Sequence, residues 1–128
     1  MTRTIIATEK APAAVGAYSQ AVAANGFVFV SGQLGLRPGT KAFAGDTVAA
    51  QTRQALENIA AILQAAGTDM AHVVKVTVLL ADIETFGEMN QVYSTFFPSD
   101  PPARAAFAAK GLPLGGLVEI EAIAVLPD

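Results

Sequence analysis

The segment from Val118 to Leu126 constrains the fold most, because its residues alternate as those of a β-strand with two different faces do. The first face is apolar along its whole length and consists of Val118, Ile120, Ala122, Ala124 and Leu126. The second face begins with Glu119 and Glu121 and continues with Ile123 and Val125. A face that changes from acidic to aliphatic indicates a surface half covered by something else, with a glutamate at the edge of a cleft.

Arg104 lies in an apolar stretch, between Pro102-Ala103 and Ala105-Ala106-Phe107. A guanidinium that is buried without a partner costs several kcal/mol, so this setting predicts a carboxylate beside it. The partner is either one of the chain's own glutamates or the carboxylate of a ligand. Structural ion pairs are commoner than ligand clamps, and the residues alone therefore favour the internal pair.

Three further segments carry the pattern of strands. Residues 3–7 suit a short edge strand, and residues 19–33 suit a hairpin around an Asn25-Gly26 turn. Residues 73–80 alternate clearly. One face of that strand is expected to carry Val74, Val76, Val78 and Leu80.

Two segments carry the pattern of amphipathic helices. The first is expected to begin at Asp46 or Thr47 and to run to about Ala66, with Gly67 as its stop. The second is expected over about residues 83–97, with Asp82 as its cap.

Strands that alternate with helices predict crossovers that join parallel strands within a mixed sheet of five or six strands. Two helices would cover one face of that sheet. The other face, carrying either Phe27 and Phe29 or Val28 and Val30, would be left to water. Apolar burial is worth about 25 cal/mol per Å², so we expect an obligate oligomer whose sheets pack on one another.

The composition agrees with one domain, residues 1–128, that buries apolar surface between subunits. Hydrophobic residues make up 52% of the chain and charged residues 15%, yet no continuous apolar run approaches the roughly 20 residues of a membrane helix. The absence of cysteine excludes disulfides, thiolate metal sites and a cysteine nucleophile.

The start, MTRTIIATEKAP, lacks the apolar core of a signal peptide, and we expect a cytoplasmic protein. A net charge of −3 with scattered Lys and Arg disfavours nucleic acid as a partner.

Seven motifs resemble those of the Rid family, also called YjgF, in the same order along nearly the whole chain. They are APAAVGAYSQA at 11–21, FVSGQLG at 29–35, AAQTRQALENIAAIL at 49–63, VVKVTVLLADI at 73–83, MNQVYSTFF at 89–97, PPAR at 101–104 and VEIEAIAV at 118–125. The founding subgroup, RidA, comprises deaminases of reactive enamines and imines. The resemblance implies a chorismate-mutase-like α+β fold, assembled as a homotrimer whose sheets form a central barrel with three clefts between neighbours.

The resemblance also implies a role for individual residues. Arg104 would hold the carboxylate of a 2-imino acid, or of an enamine such as 2-aminoacrylate, and Glu119 would position the water that releases ammonia and a 2-keto acid. No metal or organic cofactor is implied. The residues implied around the substrate are Tyr18, Ser31, Gly32, Gln33 and Asn90.

The chain departs from the family pattern beside the arginine. Ala106 stands where RidA-type enzymes usually carry a cysteine or threonine that lines the cleft, and Ala105 replaces a common serine. Phe107 follows. The cleft is therefore expected to be more apolar, which affects the preferred substrate side chain rather than the carboxylate clamp.

Each candidate residue also has an ordinary structural interpretation. Tyr18 could be a core side chain, Asn90 an amide on a helix surface, and Glu119 the internal ion-pair partner of Arg104. His72, the only histidine, precedes a strand and is not expected to be catalytic.

Two other functions compete with the deaminase. One is a non-catalytic trimer that binds small carboxylates or acts like a chaperone. The other is a ribonuclease, an activity attached to some relatives. The acidic balance of charge and the absence of a His/Lys pair for acid/base catalysis argue against the ribonuclease.

Overall fold

The computed structural model describes residues 2–128, which form six strands and two α-helices. The strands are β1 (Arg3–Ile6), β2 (Ala21–Ala24), β3 (Phe27–Leu34), β4 (Val73–Leu80), β5 (Ala103–Ala108) and β6 (Val118–Val125). The helices are α1 (Val48–Ala66) and α2 (Phe86–Phe96), and short 3₁₀ turns occupy Met70–His72, Ile83–Thr85 and Pro113–Gly115. The predicted mixed sheet with two helices is confirmed.

The strands form one sheet in the order β1-β2-β3-β6-β4-β5. Strands β4 and β5 are parallel and are joined through α2, whereas every other neighbouring pair is antiparallel. The last strand, β6, lies between β3 and β4 and separates the two strands that α1 connects. The segment with the acidic-to-aliphatic face is thus an interior strand of the sheet.

The predicted turn of the hairpin is confirmed. Asn25 and Gly26 both have positive φ, 54° and 83°, as a two-residue hairpin turn of the I′ type requires. The turn places β2 directly against β3, with Ala24 opposite Phe27.

The first helix is confirmed at both ends. The Thr47 hydroxyl accepts a hydrogen bond from the Ala50 amide at 3.1 Å, and Gly67 ends the helix in the left-handed conformation with φ 92°. The buried stripe of α1 packs on the sheet. It includes Ala55, Leu56, Ile59, Ile62 and Leu63.

The second helix begins later than predicted. Asp82 accepts a hydrogen bond from the Glu84 amide at 2.9 Å and therefore caps the 3₁₀ turn Ile83–Thr85, not the α-helix. The α-helix starts at Phe86. A side-chain cap marks the first turn of a helical segment but does not distinguish a 3₁₀ turn from an α-helical one.

The two faces of the sheet differ in what covers them. The helices lie over the face that carries Val28 and Val30, both nearly inaccessible, and we call it the covered face. The opposite face, which we call the open face, carries Phe27 and Phe29, whose exposed fractions are 39% and 45%. Of the two alternatives left by the sequence, Phe27 and Phe29 are therefore the pair that faces water.

Strand β4 departs from its predicted alternation at one position. Val76, Val78 and Leu80 are buried as expected, but Val74 is exposed and Val73 is buried in its place. The register of β4 against β6 shifts between Val73 and Lys75, and this irregularity turns the first residue of the strand inward. No helix within residues 2–128 combines the length and apolar character needed to cross a membrane.

Candidate functional site

An open groove of about 640 Å³ lies beside Glu119 on the open face of the sheet. We call it the Glu119 groove, and Tyr18, Ser31, Gly32 and Gln33 line it together with both glutamates of β6. Leu34 and Leu114 add apolar walls. Four of the residues that the family resemblance implies around the substrate therefore lie together with Glu119.

A β-bulge in β3 shapes the floor of this groove. Ser31 and Gly32 lie between Val30, which pairs with Ala122, and Gln33, which pairs with Ile120, so two residues of β3 face one of β6. The Ser31 amide donates to the Gln20 carbonyl at 2.9 Å, and its hydroxyl donates to the Ser19 carbonyl at 2.5 Å. These bonds tie the bulge to the segment that carries Tyr18.

Gly32 lies directly against the Glu119 side chain. A Cβ at Gly32 would lie 2.7 Å from Oε2 and 3.0 Å from Cδ of Glu119. The carboxylate therefore occupies space that any larger residue at position 32 would fill. Glycine is favoured here by close approach rather than by an unusual φ, because a larger residue would displace the Glu119 side chain.

The Glu119 carboxylate is electrostatically unusual. Burial, and secondarily the negative charge of Glu121, raises the pKa of Glu119 above its ordinary value. Across residues 2–128, the salt bridge observed joins His72 and Asp69, so Glu119 has no ion-pair partner there. A half-buried carboxylate with a raised pKa in a groove is suited to accept and return a proton.

Tyr18 lies at the rim of the groove. Half of its surface, 51%, is exposed, and its hydroxyl accepts a weak hydrogen bond from the Val15 amide at 3.4 Å. The interpretation of Tyr18 as a core side chain is therefore wrong. The alternative role, contact with a ligand in the groove, agrees with this position.

Arg104 lies in a separate pocket on the covered face. Its Nη1 donates to Oδ1 of Asn90 at 2.7 Å, and its guanidinium carbon lies 4.6 Å from the ring centroid of Tyr93. The Phe86 ring centroid is 5.3 Å away. Arg104 lines a depression of about 370 Å³ together with Asn90, Tyr93 and Phe97, and we call it the Arg104 pocket.

The predicted internal ion pair of Arg104 is wrong. No carboxylate of residues 2–128 forms a salt bridge with it, and Asn90, an amide, occupies the place of an acid. The reason is its position: β5 is an edge strand, and Arg104 is exposed despite its apolar neighbours in sequence. An exposed guanidinium does not need a charged partner.

Arg104 and Glu119 do not meet within one chain. Arg104 pairs with Val76, whose side chain is buried under the helices, whereas Glu119 pairs with Leu79 on the opposite face. Ideal sheet spacings place the two Cα atoms about 14 Å apart, with the side chains pointing away from each other. The two candidate catalytic residues thus lie on different surfaces of the molecule, Arg104 exposed and Glu119 half-buried.

Ala106 and the single histidine, His72, lie apart from the Glu119 groove. Ala106 pairs with Val78, lies on the same face as Arg104 and packs against the core. His72 precedes β4, at the end of the strand away from Leu79 and Glu119, which puts it roughly 20 Å from the groove.

Comparison with known proteins identifies the family. Residues 8–126 match the family model described as endoribonuclease L-PSP. The chain belongs to this family. A relative from Rattus norvegicus, named 2-iminobutanoate/2-iminopropanoate deaminase, is 52% identical over 96% of this chain and 90% of its own length.

Solved structures of the L-PSP family share the fold closely. RidA from the Antarctic bacterium Psychrobacter sp. PAMC 21119 is 46% identical, with a TM-score of 0.92 over 96% of this chain and 99% of its own. Escherichia coli TdcF, solved with bound serine, is 38% identical, with a TM-score of 0.92 over 97% of this chain and 99% of its own. The resemblance to the Rid family is confirmed.

Three residues around the L-PSP family site were not assigned a role from the sequence. The buried Gln20 side chain accepts from the Thr8 amide at 2.7 Å and donates to the Pro12 carbonyl at 2.7 Å, which holds the loop before Tyr18. Phe86 and Tyr93 lie on α2 over the Arg104 guanidinium. The available sequence signal for Gln20 was its position directly before the apolar strand β2. The local sequence around Phe86 and Tyr93 does not indicate that these two rings contact Arg104.

Proposed function

We propose that the protein is a hydrolytic deaminase of reactive 2-imino acids and their enamine tautomers. The substrates are 2-aminoacrylate, 2-iminopropanoate and 2-iminobutanoate, and the products are 2-keto acids and ammonia. The observation that carries the proposal is that, within residues 2–128, Arg104 has no acidic partner and Glu119 has no cationic one, in a chain whose relatives bear this activity in their names.

Arg104 binds the substrate carboxylate in this proposal. Its charge is not neutralised by any acid of residues 2–128, and the single bond to Asn90 leaves other N–H donors free. Two charge-assisted hydrogen bonds to a carboxylate contribute about 1.5 to 3 kcal/mol each. The serine bound to TdcF, a small 2-amino acid, supports a site of this size and charge in the family.

Glu119 positions and deprotonates the attacking water. The water oxygen forms a bond to the imine carbon while the proton passes through the carboxylate to the nitrogen, which gives a tetrahedral carbinolamine. A second transfer from the hydroxyl to the nitrogen expels ammonia and leaves the 2-keto acid. A general base in this position contributes about 10² to 10⁴-fold to the rate.

The site is formed between two copies of the chain. Arg104 and Glu119 lie on opposite faces of one sheet, so a neighbouring copy has to supply one of them. The open face that carries Glu119 also exposes Phe27, Phe29 and Phe107. Burying these side chains favours the homotrimer with a central barrel that the family resemblance implies.

The remaining candidates complete this interface. Tyr18 closes the rim of the Glu119 groove, and Ser31 and Gly32 contact the ligand from the bulge. Asn90 orients the arginine through its 2.7 Å bond, and Ala106 keeps the neighbouring wall small and apolar.

A trapping assay tests the activity. An amino-acid oxidase generates the imino acid in situ, semicarbazide traps what survives, and the protein should lower the amount trapped. Arg104→Ala should abolish the effect, whereas Arg53→Ala, at an exposed position on α1, should retain it. Equal trapping with and without the wild-type protein would refute the deaminase and leave a carboxylate-binding protein.

Mixed oligomers test the shared site. Arg104→Ala and Glu119→Gln subunits, each inactive alone, are co-expressed and purified as hybrids. If each site takes one residue from each neighbour, random mixing leaves about a quarter of the sites intact. No recovery above the two parents would mean that both residues act within one chain or not at all.

A further inference from the structure

The Arg104 guanidinium is held by three side chains from a single stripe of α2. Phe86, Asn90 and Tyr93 are spaced by four and three residues, which places them on one side of the helix. All three contact Arg104: the two rings through their faces at 5.3 and 4.6 Å, and the amide through a 2.7 Å hydrogen bond. An exposed arginine on an edge strand is thus fixed from one side.

These contacts leave the ligand-binding edge of the guanidinium free. A ring face contacts the flat side of the cation and uses none of its N–H donors, and Asn90 takes one of them. A carboxylate partner would have occupied two donors and cancelled the charge. The aromatic rings restrict the orientation of the Arg104 side chain but leave its positive charge and its remaining N–H donors available to a ligand.

The ring of Tyr93, rather than its hydroxyl, makes the useful contact. Tyr93 is 4% exposed, and its buried hydroxyl lies near enough to Arg104 for the positive charge to oppose the effect of burial, but it forms no hydrogen bond of good geometry in the described part of the chain. Burial raises the pKa of Tyr93, so the residue is neutral and cannot form an ion pair with Arg104. The ring also packs against Phe97 in a tilted arrangement, at 4.8 Å between centroids, which holds it in place.

We propose that Tyr93 and Phe86 are positioning residues for the deaminase reaction. Their ring faces hold Arg104 in the orientation that receives the substrate carboxylate, and so they act through the arginine without touching the substrate. This inference rests on the proposed function, in which Arg104 binds that carboxylate.

Steady-state kinetics on the assembled protein tests the inference with four variants. Tyr93→Leu and Phe86→Leu remove the ring faces and should raise KM by about three- to tenfold, with kcat changed by less than about twofold. Tyr93→Phe keeps the ring and should behave as the wild type does. Phe96→Leu is the matched control, because this ring lies on the same helix and packs partly buried on the core, whereas the rings observed over the guanidinium are those of Phe86 and Tyr93.

A direct binding measurement supports the kinetics. Calorimetric titration with 2-oxobutanoate, a stable carboxylate product, should show the same loss of affinity for Tyr93→Leu and Phe86→Leu and none for Tyr93→Phe. Thermal melting of each variant separates a loss of folding from a loss of binding. If Tyr93→Leu fails to fold, Phe86→Leu decides the matter, since Phe86 is only partly buried.

The outcomes distinguish this inference from the proposed function. Unchanged KM in Phe86→Leu and Tyr93→Leu, with a large increase in Arg104→Ala, would overturn the positioning role and leave the carboxylate clamp intact. An equal loss in Tyr93→Phe would assign the effect to the hydroxyl and would also overturn it. No effect of Arg104→Ala would remove the clamp and the positioning role together.

Discussion

Gly32→Ala is the substitution that most directly tests the link between the β-bulge and Glu119, the proposed catalytic carboxylate. The added methyl group would lie 2.7 Å from Oε2 of Glu119, whereas ordinary contacts begin at 3.4 Å. The carboxylate therefore has to retreat by at least 0.7 Å, the difference between these distances. The position has no positive φ, so the backbone itself tolerates alanine.

This displacement should reduce kcat far more than it affects binding. A shift of about 1 Å in a catalytic group costs about 100-fold in rate, and we expect a 10- to 100-fold fall in kcat with KM nearly unchanged. The assay is imine hydrolysis by the purified oligomer. Gly87→Ala is the matched control, because nothing lies within 4 Å of a Cβ at that position.

A double-mutant cycle shows whether the loss passes through Glu119. Glu119→Asp withdraws the carboxylate from Gly32 by one methylene, so Gly32→Ala should cost almost nothing further in that background. An unchanged kcat in Gly32→Ala alone would refute the reasoning. A loss of equal size in both backgrounds would show that the methyl group acts on something other than Glu119.

Two further predictions concern the charge of Glu119 and the open face. Because burial and Glu121 raise the pKa of Glu119, and the ionised form is the base, kcat/KM should fall with decreasing pH at a higher pH than an ordinary glutamate would give. Glu121→Gln should move this acid limb to lower pH in a pH–rate profile; a shift to higher pH, or none, contradicts the coupling. Phe29→Asp should convert the oligomer to monomers, as measured by light scattering, while the helical circular dichroism signal is retained. The control Ile83→Asp changes an exposed site off the sheet and should remain assembled. An intact Phe29→Asp oligomer would exclude the open face as the interface.

Elements set by local signals were predictable from the sequence. Strand β4 has the bounds expected from its alternation, and Thr47 and Gly67 end α1 as capping residues do. Features set by distant partners were not. The exposure of Val74 depends on a register shift against β6, some fifty residues away along the chain.

The same distinction applies to the site. Arg104, Glu119 and Asn90 were all identified from motifs, because each motif is a local pattern of residue types. The contact of Arg104 with Asn90 and the separation of Arg104 from Glu119 depend on which side of the sheet each residue faces. The face on which each residue lies depends on the order of the strands within the sheet. The order of the segments along the chain does not by itself predict that β6 lies between β3 and β4.

The placement of the two charged residues also bears on the proposed oligomer. A two-fold dimer joins the same patch on both copies, whereas the proposed site joins the Arg104 surface of one copy to the Glu119 surface of the next. Such a contact is heterologous, and it closes only as a ring of three or more copies or continues as a filament. The open face carries apolar side chains along several strands, among them Phe29 on β3 and Phe107 on β5, so each copy offers a broad surface toward a common axis. In the proposed arrangement, a trimer is the smallest ring that joins the Arg104 surface of one copy to the Glu119 surface of the next and also buries the open face. A dimeric protein with active hybrid sites would be incompatible with this arrangement.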